Sequence, residues 1–217
     1  MNRYNIFEKI FIYFGVLIFL TFILLPFVEM FYASLRPLTH LFRSPYQFYS
    51  DDLSFWAYKE MWNTVPMLGR YIFNSLFLAT ATSIITLIFV IPAAYSYARF
   101  NFPAKNTSLY LLLAINMFSG AVLLIPLYKL LKLFGLLNTY QAMIVPGVAF
   151  LIPTAIWLLK SYFEKIPIEL EEAAFCDGAS RLQILRYVIA PLSTPGLVVV
   201  GIYAFIGSYA QQFLFAI

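Results

Sequence analysis

Glu172-Ala173-Ala174-Phe175-Cys176-Asp177-Gly178 lies between two long apolar runs, and its surroundings from Glu164 to Asp177 hold five of the chain's ten acidic residues. An acidic, helix-prone, glycine-ended loop between two membrane spans reads as a docking surface for another protein, because the bilayer itself has no use for one. The runs on either side are then spans, and the loop is an elbow at the membrane surface.

Composition agrees. Of 217 residues, 62% are apolar and only 11% are charged, whereas a soluble domain carries about 25% charged residues. The 23 Phe and 16 Tyr suit lipid-facing surface and the headgroup boundary respectively. The net charge of +4 is spread along the chain, so there is no nucleic-acid footprint. Cys176 is the single cysteine, which excludes an intrachain disulfide and a cysteine-based zinc set.

A hydrocarbon core of about 30 Å needs roughly 20 apolar residues in a helix. Five runs meet that length, near 11–32, 71–96, 108–128, 137–159 and 195–217, with a loop at 161–194. Unpaired backbone groups are too costly in lipid, so the runs are expected to be helices. The fold class is all-α: a polytopic transmembrane helical bundle, treated as a single domain over 1–217. Pro26, Pro92, Pro126, Pro146 and Pro153 fall inside runs and mark kinks or ends. The stretch between Tyr32 and Arg70, with His40, Asp51, Asp52, Trp56 and Trp62, reads as an extramembrane loop with some interfacial helix. A cytoplasmic N-terminus places eight Lys/Arg inside and six outside, which favours that orientation. The chain stops inside an uncharged run at Ile217, which suggests a truncated chain.

Within the loop, Pro167 suits a first helical turn. Glu169, Glu171 and Glu172 complement the positive end of the helix dipole. Leu170, Ala173, Ala174 and Asp177 share one face, and the two alanines let another surface approach closely. Gly178 suits a left-handed helix end. Ser180 and Gln183 fit a capping box opening a second helix with Leu182, Ile184, Leu185 and Val188. Pro191 and Pro195 break it before the last run.

Glu172-Ala173-Ala174, three residues, Gly178, nine residues, Val188, then Pro191 resembles the EAA signature of importer permeases of the ABC-transporter superfamily. The family pattern has Ile where this chain has Val188 and Leu where it has Ala190. Asp177-Gly178-Ala179-Ser180, Ile125-Pro126-Leu127-Tyr128 and Gly135-Leu136-Leu137-Asn138-Thr139-Tyr140 resemble the carbohydrate-uptake branch. Tyr97-Ala98-Arg99-Phe100 and Phe213-Leu214-Phe215-Ala216 do as well. The likeness is to the second permease of maltose-type importers, which has six spans, so the resemblance implies that a sixth is missing here.

The resemblance implies an inner-membrane subunit of a prokaryote, paired with a second permease. It also implies two cytoplasmic ATP-binding subunits and an extracellular or periplasmic solute-binding protein. Glu172, Ala173, Ala174, Asp177 and Gly178 would be the residues that couple to the ATPase. Asn116, Gln141, Gln211 and Gln212, polar positions inside apolar runs, are candidates for the substrate path, although such residues often only bond neighbouring helices. No phosphate-cradling Gly-x-x-x-x-Gly-Lys-Ser/Thr motif occurs, so ATP hydrolysis is expected on another subunit. No cofactor or metal is expected, and no catalytic pair is present. The rival readings are an ion-coupled carrier, which would place ionisable groups mid-membrane where runs two to five have none between their flanks, and a non-transporting membrane subunit, which would have no reason for the EAA spacing.

Overall fold

The computed structural model describes residues 6–37, 53–118 and 120–215. Those residues are helical apart from short turns, and the chain divides into two compact units, Met1–Gly69 and Arg70–Ile217. His40, Asp51, Asp52 and Ser119 lie outside the described residues, as do the side chain of Gln212 and residue Ala216.

In the first unit, α1 (Ile6–Ser34) is a 29-residue helix. It is apolar all round, and its most apolar window has no residue buried within the chain. A helix with that surface is suited to lipid rather than water. Glu29 approaches Arg36 at 3.6 Å, and the Arg36 guanidinium stacks 4.3 Å above the Tyr32 ring. The short helix α2 (Trp56–Thr64) follows, with the Tyr58 and Ser34 hydroxyls 2.8 Å apart.

The second unit begins in the first turn of α3 (Leu68–Arg99) and continues through α4 (Lys105–Ile115), α5 (Gly120–Leu133) and α6 (Tyr140–Phe163). The elbow follows: α7 (Glu169–Cys176), α8 (Arg181–Ile184), a π-helical turn (Leu185–Ile189) and α9 (Ala190–Leu192). The last helix is α10 (Thr194–Phe215). All five in-run prolines lie inside helices, and none ends one.

Among the described residues, α1, α3 and α6 are each long and apolar enough to cross a membrane. The elbow's second half and α10 make a fourth crossing if the 84° bend between them is counted within one span. The 108–128 run divides into α4 and α5. At Asn116, Met117 and Phe118 the backbone N–H groups bond three residues back instead of four, which tightens and ends α4. The glycine at 120 is itself a poor helix former.

The bend before α10 has a chemical cause. The Ala190 N–H bonds to the Leu185 carbonyl five residues back, making the wide turn. Pro191 lacks an N–H, and the buried Ser193 hydroxyl bonds the Ile189 carbonyl at 2.6 Å. Pro195 then follows in the opening turn of α10, where its missing donor costs little.

The core lies at the elbow end of this unit. Val90, Ala94 and Tyr95 of α3 meet Leu109 of α4, Ala155, Ile156, Leu159 and Phe163 of α6, Ile184, Leu185 and Ile189 of the elbow, and Val200 of α10. The most extensive helix pairing is α6 with α10. Without a hydrophobic drive between helices in lipid, small residues that allow close approach carry such packing. Ala155 and Ala204 are fully buried, and Gly196 lets α10 touch Tyr162. Higher up, Ser83 of α3 donates to the Gly201 carbonyl of α10 at 3.0 Å.

A methyl group added at Gly196 would stand 2.5 Å from the Tyr162 ring. Gly196→Ala is therefore expected to destabilise the fold by about 1–3 kcal/mol, the usual cost of overpacking, read as a lowered unfolding midpoint in detergent. Gly15→Ala, where nothing lies within 4 Å, is the control and should leave the midpoint unchanged or slightly raised.

Candidate functional site

The elbow joins α6 to α10. Pro167 sits one residue before the N-cap of α7 rather than in its first turn, and the N-cap itself is Ile168, which has no capping side chain. The exposed first-turn carboxylates of Glu169 and Glu172 compensate by complementing the positive end of the helix dipole. At the other end Gly178 has φ +81°, a left-handed conformation that glycine adopts without a Cβ penalty. Its N–H bonds the Phe175 carbonyl at 3.0 Å, and the Ala179 N–H bonds the Ala174 carbonyl at 3.0 Å. These two bonds form a Schellman closure. Ser180 then opens α8, and Gln183 Oε1 accepts its N–H at 2.7 Å and its hydroxyl at 2.8 Å. The turn between the two helices is thus closed by its own short-range bonds on both sides.

The acids of the elbow face different ways. Glu164, Glu169, Glu172 and Asp177 are exposed, while Glu171 is only 4% exposed. Its Oε2 accepts the Tyr95 hydroxyl at 2.8 Å, and its Oε1 accepts a short bond from Arg99 Nε. Arg99 Nη2 donates to the Ile166 carbonyl at 2.8 Å. A buried ion pair is stable only when its remaining lone pairs and protons are satisfied, and here both carboxylate oxygens are used. The neighbouring Arg181 guanidinium lies between Phe100 at 4.9 Å and Phe175 at 4.8 Å. Tyr95 is edge-on to both Phe100 and Phe163. The last turn of α3, the end of α6 and both elbow helices therefore meet in one polar and aromatic cluster.

Of the anticipated coupling residues, Glu172, Ala173, Asp177 and Gly178 lie together on the exposed surface. Ala174 does not join them: it is half-buried against the core. The small residue presented outward is Ala173. The polar in-run residues are not gathered into one site, since no hydrogen bond joins Asn116, Gln141 and Gln211 to one another among the described residues. Asn116 Nδ2 instead bonds Thr154 Oγ1 of α6 at 2.9 Å, and Gln141 is exposed. Gln211 Oε1 is buried without a hydrogen-bond partner.

Sequence reasoning missed the inward role of Glu171 and the contributions of Tyr95, Arg99 and Arg181. A signal existed for Arg99, a lone cation closing a 71–96 apolar run, where a helix C-terminus favours positive charge. Nothing in the string of acids separates Glu171 from Glu172 before the helix phase is known.

Removing one member of a buried pair leaves the other charge uncompensated, so Glu171→Ala is expected to cost about 3 kcal/mol or more of stability. Glu172→Ala, at an exposed position, should stay within about 0.5 kcal/mol of wild type. Thermal unfolding of both variants in detergent checks the contrast.

Comparison with known proteins places this geometry. The model of the binding-protein-dependent transport system inner membrane component family matches residues 90–216, which include the whole elbow. The inner membrane ABC transporter permease protein YcjP of Escherichia coli is 32% identical over 212 residues, covering 96% of this chain and 75% of that protein. The trehalose/maltose transport system permease protein MalG of Thermococcus litoralis is 30% identical over 215 residues, covering 99% of this chain and 77% of the relative. A crystal structure of a bacterial ABC transporter involved in import of the acidic polysaccharide alginate superposes with a TM-score of 0.69 at 26% identity, covering 94% of this chain and 72% of that one. An all-helical chain with several apolar spans and an elbow inside the matched region thus belongs to the binding-protein-dependent transport system inner membrane component family, as an ABC-transporter permease subunit.

Proposed function

We propose that this permease serves an ATP-driven carbohydrate importer, with residues 161–194 as the handle through which a separate ATPase moves the spans. One observation carries the reading. Glu172, Ala173, Asp177 and Gly178 are exposed on a turn locked by its own hydrogen bonds, between α6 and α10. Such a turn transmits force as a unit instead of deforming under it. The carboxylates of Glu172 and Asp177 offer charge-assisted bonds to a basic groove. Ala173 permits close approach, and Gly178 sets the turn.

The family supports the remaining assignments. Two cytoplasmic ATP-binding subunits supply the energy that this chain has no phosphate cradle to harvest. A second permease completes the path, and a solute-binding protein delivers cargo from outside. The elbow and the N-terminus face the cytoplasm of a prokaryotic cell. The cargo class rests on relatives: one is named for trehalose and maltose, and the superposed transporter for alginate. Sugars carry many hydroxyls and seek amide partners in a path. Gln211 is the best supported of the four path candidates, because a buried amide oxygen without a partner is costly unless a ligand or water meets it. Asn116, Gln141 and Gln212 remain path candidates beside it.

Gly178→Asp is expected to lower ATP-driven uptake of radiolabelled trehalose at least about tenfold, because an L side chain is strained at φ +81° and a carboxylate there adds negative charge to the docking turn. The amount of chain in the membrane should not change, and an affinity-tagged wild-type chain should retain an ATP-binding subunit that the variant loses. Normal uptake by the variant refutes the coupling role. Cys176 is exposed on the same helix. An impermeant maleimide should leave it unlabelled in sealed cells and label it after permeabilisation; labelling in sealed cells reverses the orientation and ends the reading.

A further inference from the structure

The backbone of α7 packs beside α8 and the π-helical turn, and α3 meets the elbow through a buried face that includes Val90, Ala94 and Tyr95. Apolar packing joins the two, with Ile184, Leu185 and Ile189 in one cluster with Val90, Ala94 and Tyr95, and longer side chains add polar and aromatic contacts. Three of them converge. Glu171 reaches from α7 to Tyr95 and Arg99 of α3, and Arg99 also holds the Ile166 carbonyl just beyond α6. Arg181 of α8 stacks on Phe100 at the end of α3. Elsewhere α3 is held by its buried face, with Ser83 on the Gly201 carbonyl and Thr82 against Gly147.

We propose that the buried Glu171–Arg99 pair, with Tyr95, is the positioning group that makes the elbow and α3 one rigid body, so that a displacement of the docking turn is delivered to α3 through that pair. This rests on the proposed coupling role of the elbow and adds to it the route by which one span is moved. Glu172 and Asp177 face the partner and Glu171 faces inward, so docking and transmission are divided between adjacent residues of one helix. The pair is suited to the task. Charge-assisted bonds to both carboxylate oxygens fix distance and direction together, whereas a purely apolar contact would allow sliding.

The test uses the complete importer in proteoliposomes, with Cys176→Ser as background. Spin labels are attached at Leu182→Cys on α8 and Phe73→Cys on α3, both exposed positions. The inter-label distance is measured without nucleotide and with ATP and vanadate. The unsubstituted pair should give the same single narrow distance in both states. Glu171→Gln and Tyr95→Phe should keep ATP hydrolysis per assembled complex within about twofold of the control, while the distance shifts or splits only when nucleotide is present. Loss of coupling of about fivefold or more in trehalose taken up per ATP hydrolysed should accompany it, the lower range of usual coupling energies.

A merely structural role predicts something else: fewer assembled complexes, with distances broadened equally in both states. Tyr95→Phe keeps the ring contacts to Phe100 and Phe163 and so carries the test should Glu171→Gln fail to assemble. An unchanged single distance in the variants overturns the proposal, as does a nucleotide-dependent distance in the unsubstituted pair. If the unsubstituted chain retains no ATP-binding subunit, the coupling role itself has failed. If it retains one and Gly178→Asp blocks uptake while the Tyr95 and Glu171 variants behave as wild type, only the present inference has failed.

Discussion

The ion pair between Glu171 and Arg99 is the interaction on which the arrangement at the elbow depends. Taking two charges out of water costs several kcal/mol per ion, and the attraction between them offsets this only with good geometry and further hydrogen bonds. The chain supplies both: Tyr95 occupies the second carboxylate oxygen, and the Ile166 carbonyl takes an outer guanidinium N–H. An apolar contact of the same volume could stabilise as well or better. What the pair adds is direction. It specifies which face of an eight-residue helix turns inward, and so which acids are left outside.

That direction matters because lipid supplies little discrimination of its own. Between apolar helices there is no hydrophobic drive, and register is set by small residues and scattered hydrogen bonds. Gly196 against Tyr162, Ser83 on the Gly201 carbonyl and the buried alanines of α6 and α10 do that work within the second unit. Such contacts fix how closely helices approach. To them the elbow adds charged and aromatic side chains where it meets α3, which the proposed coupling role would use.

Much of this was legible in the sequence, and the rest was hidden for identifiable reasons. The long apolar helices follow from bilayer thickness and the need to pair backbone groups. The Schellman end at Gly178 and the cap of Ser180 by Gln183 follow from local chemistry over a few residues. The interruption at residues 116–118 was not visible, because hydropathy registers a tightened turn between two apolar helices as one continuous run. The inward Glu171 was hidden because neighbouring helical residues differ by about 100° in direction, so its role depends on helix phase to within one residue. Its partner Arg99 is 72 positions away, and nothing local announces a contact that distant. The small face expected from both alanines reduces to Ala173 for the same reason of phase.

The elbow's design follows from combining these length scales. In the proposed coupling role, a turn gripped by another protein must keep its shape when pulled, and it cannot borrow stiffness from a core on the gripped side. Local closure supplies it: every bond in the Gly178 turn and the Ser180 cap spans five residues or fewer, so the turn's geometry does not depend on anything distant. A turn closed only on itself would nevertheless move without consequence for the helices behind it. The two requirements are met by opposite chemistry within one stretch, neutral backbone bonds holding the shape and a buried charge pair holding the connection. That division accounts for an acidic cluster in which one carboxylate is sequestered while its neighbours remain in water, an arrangement that a loop serving only solubility would have no physical reason to build.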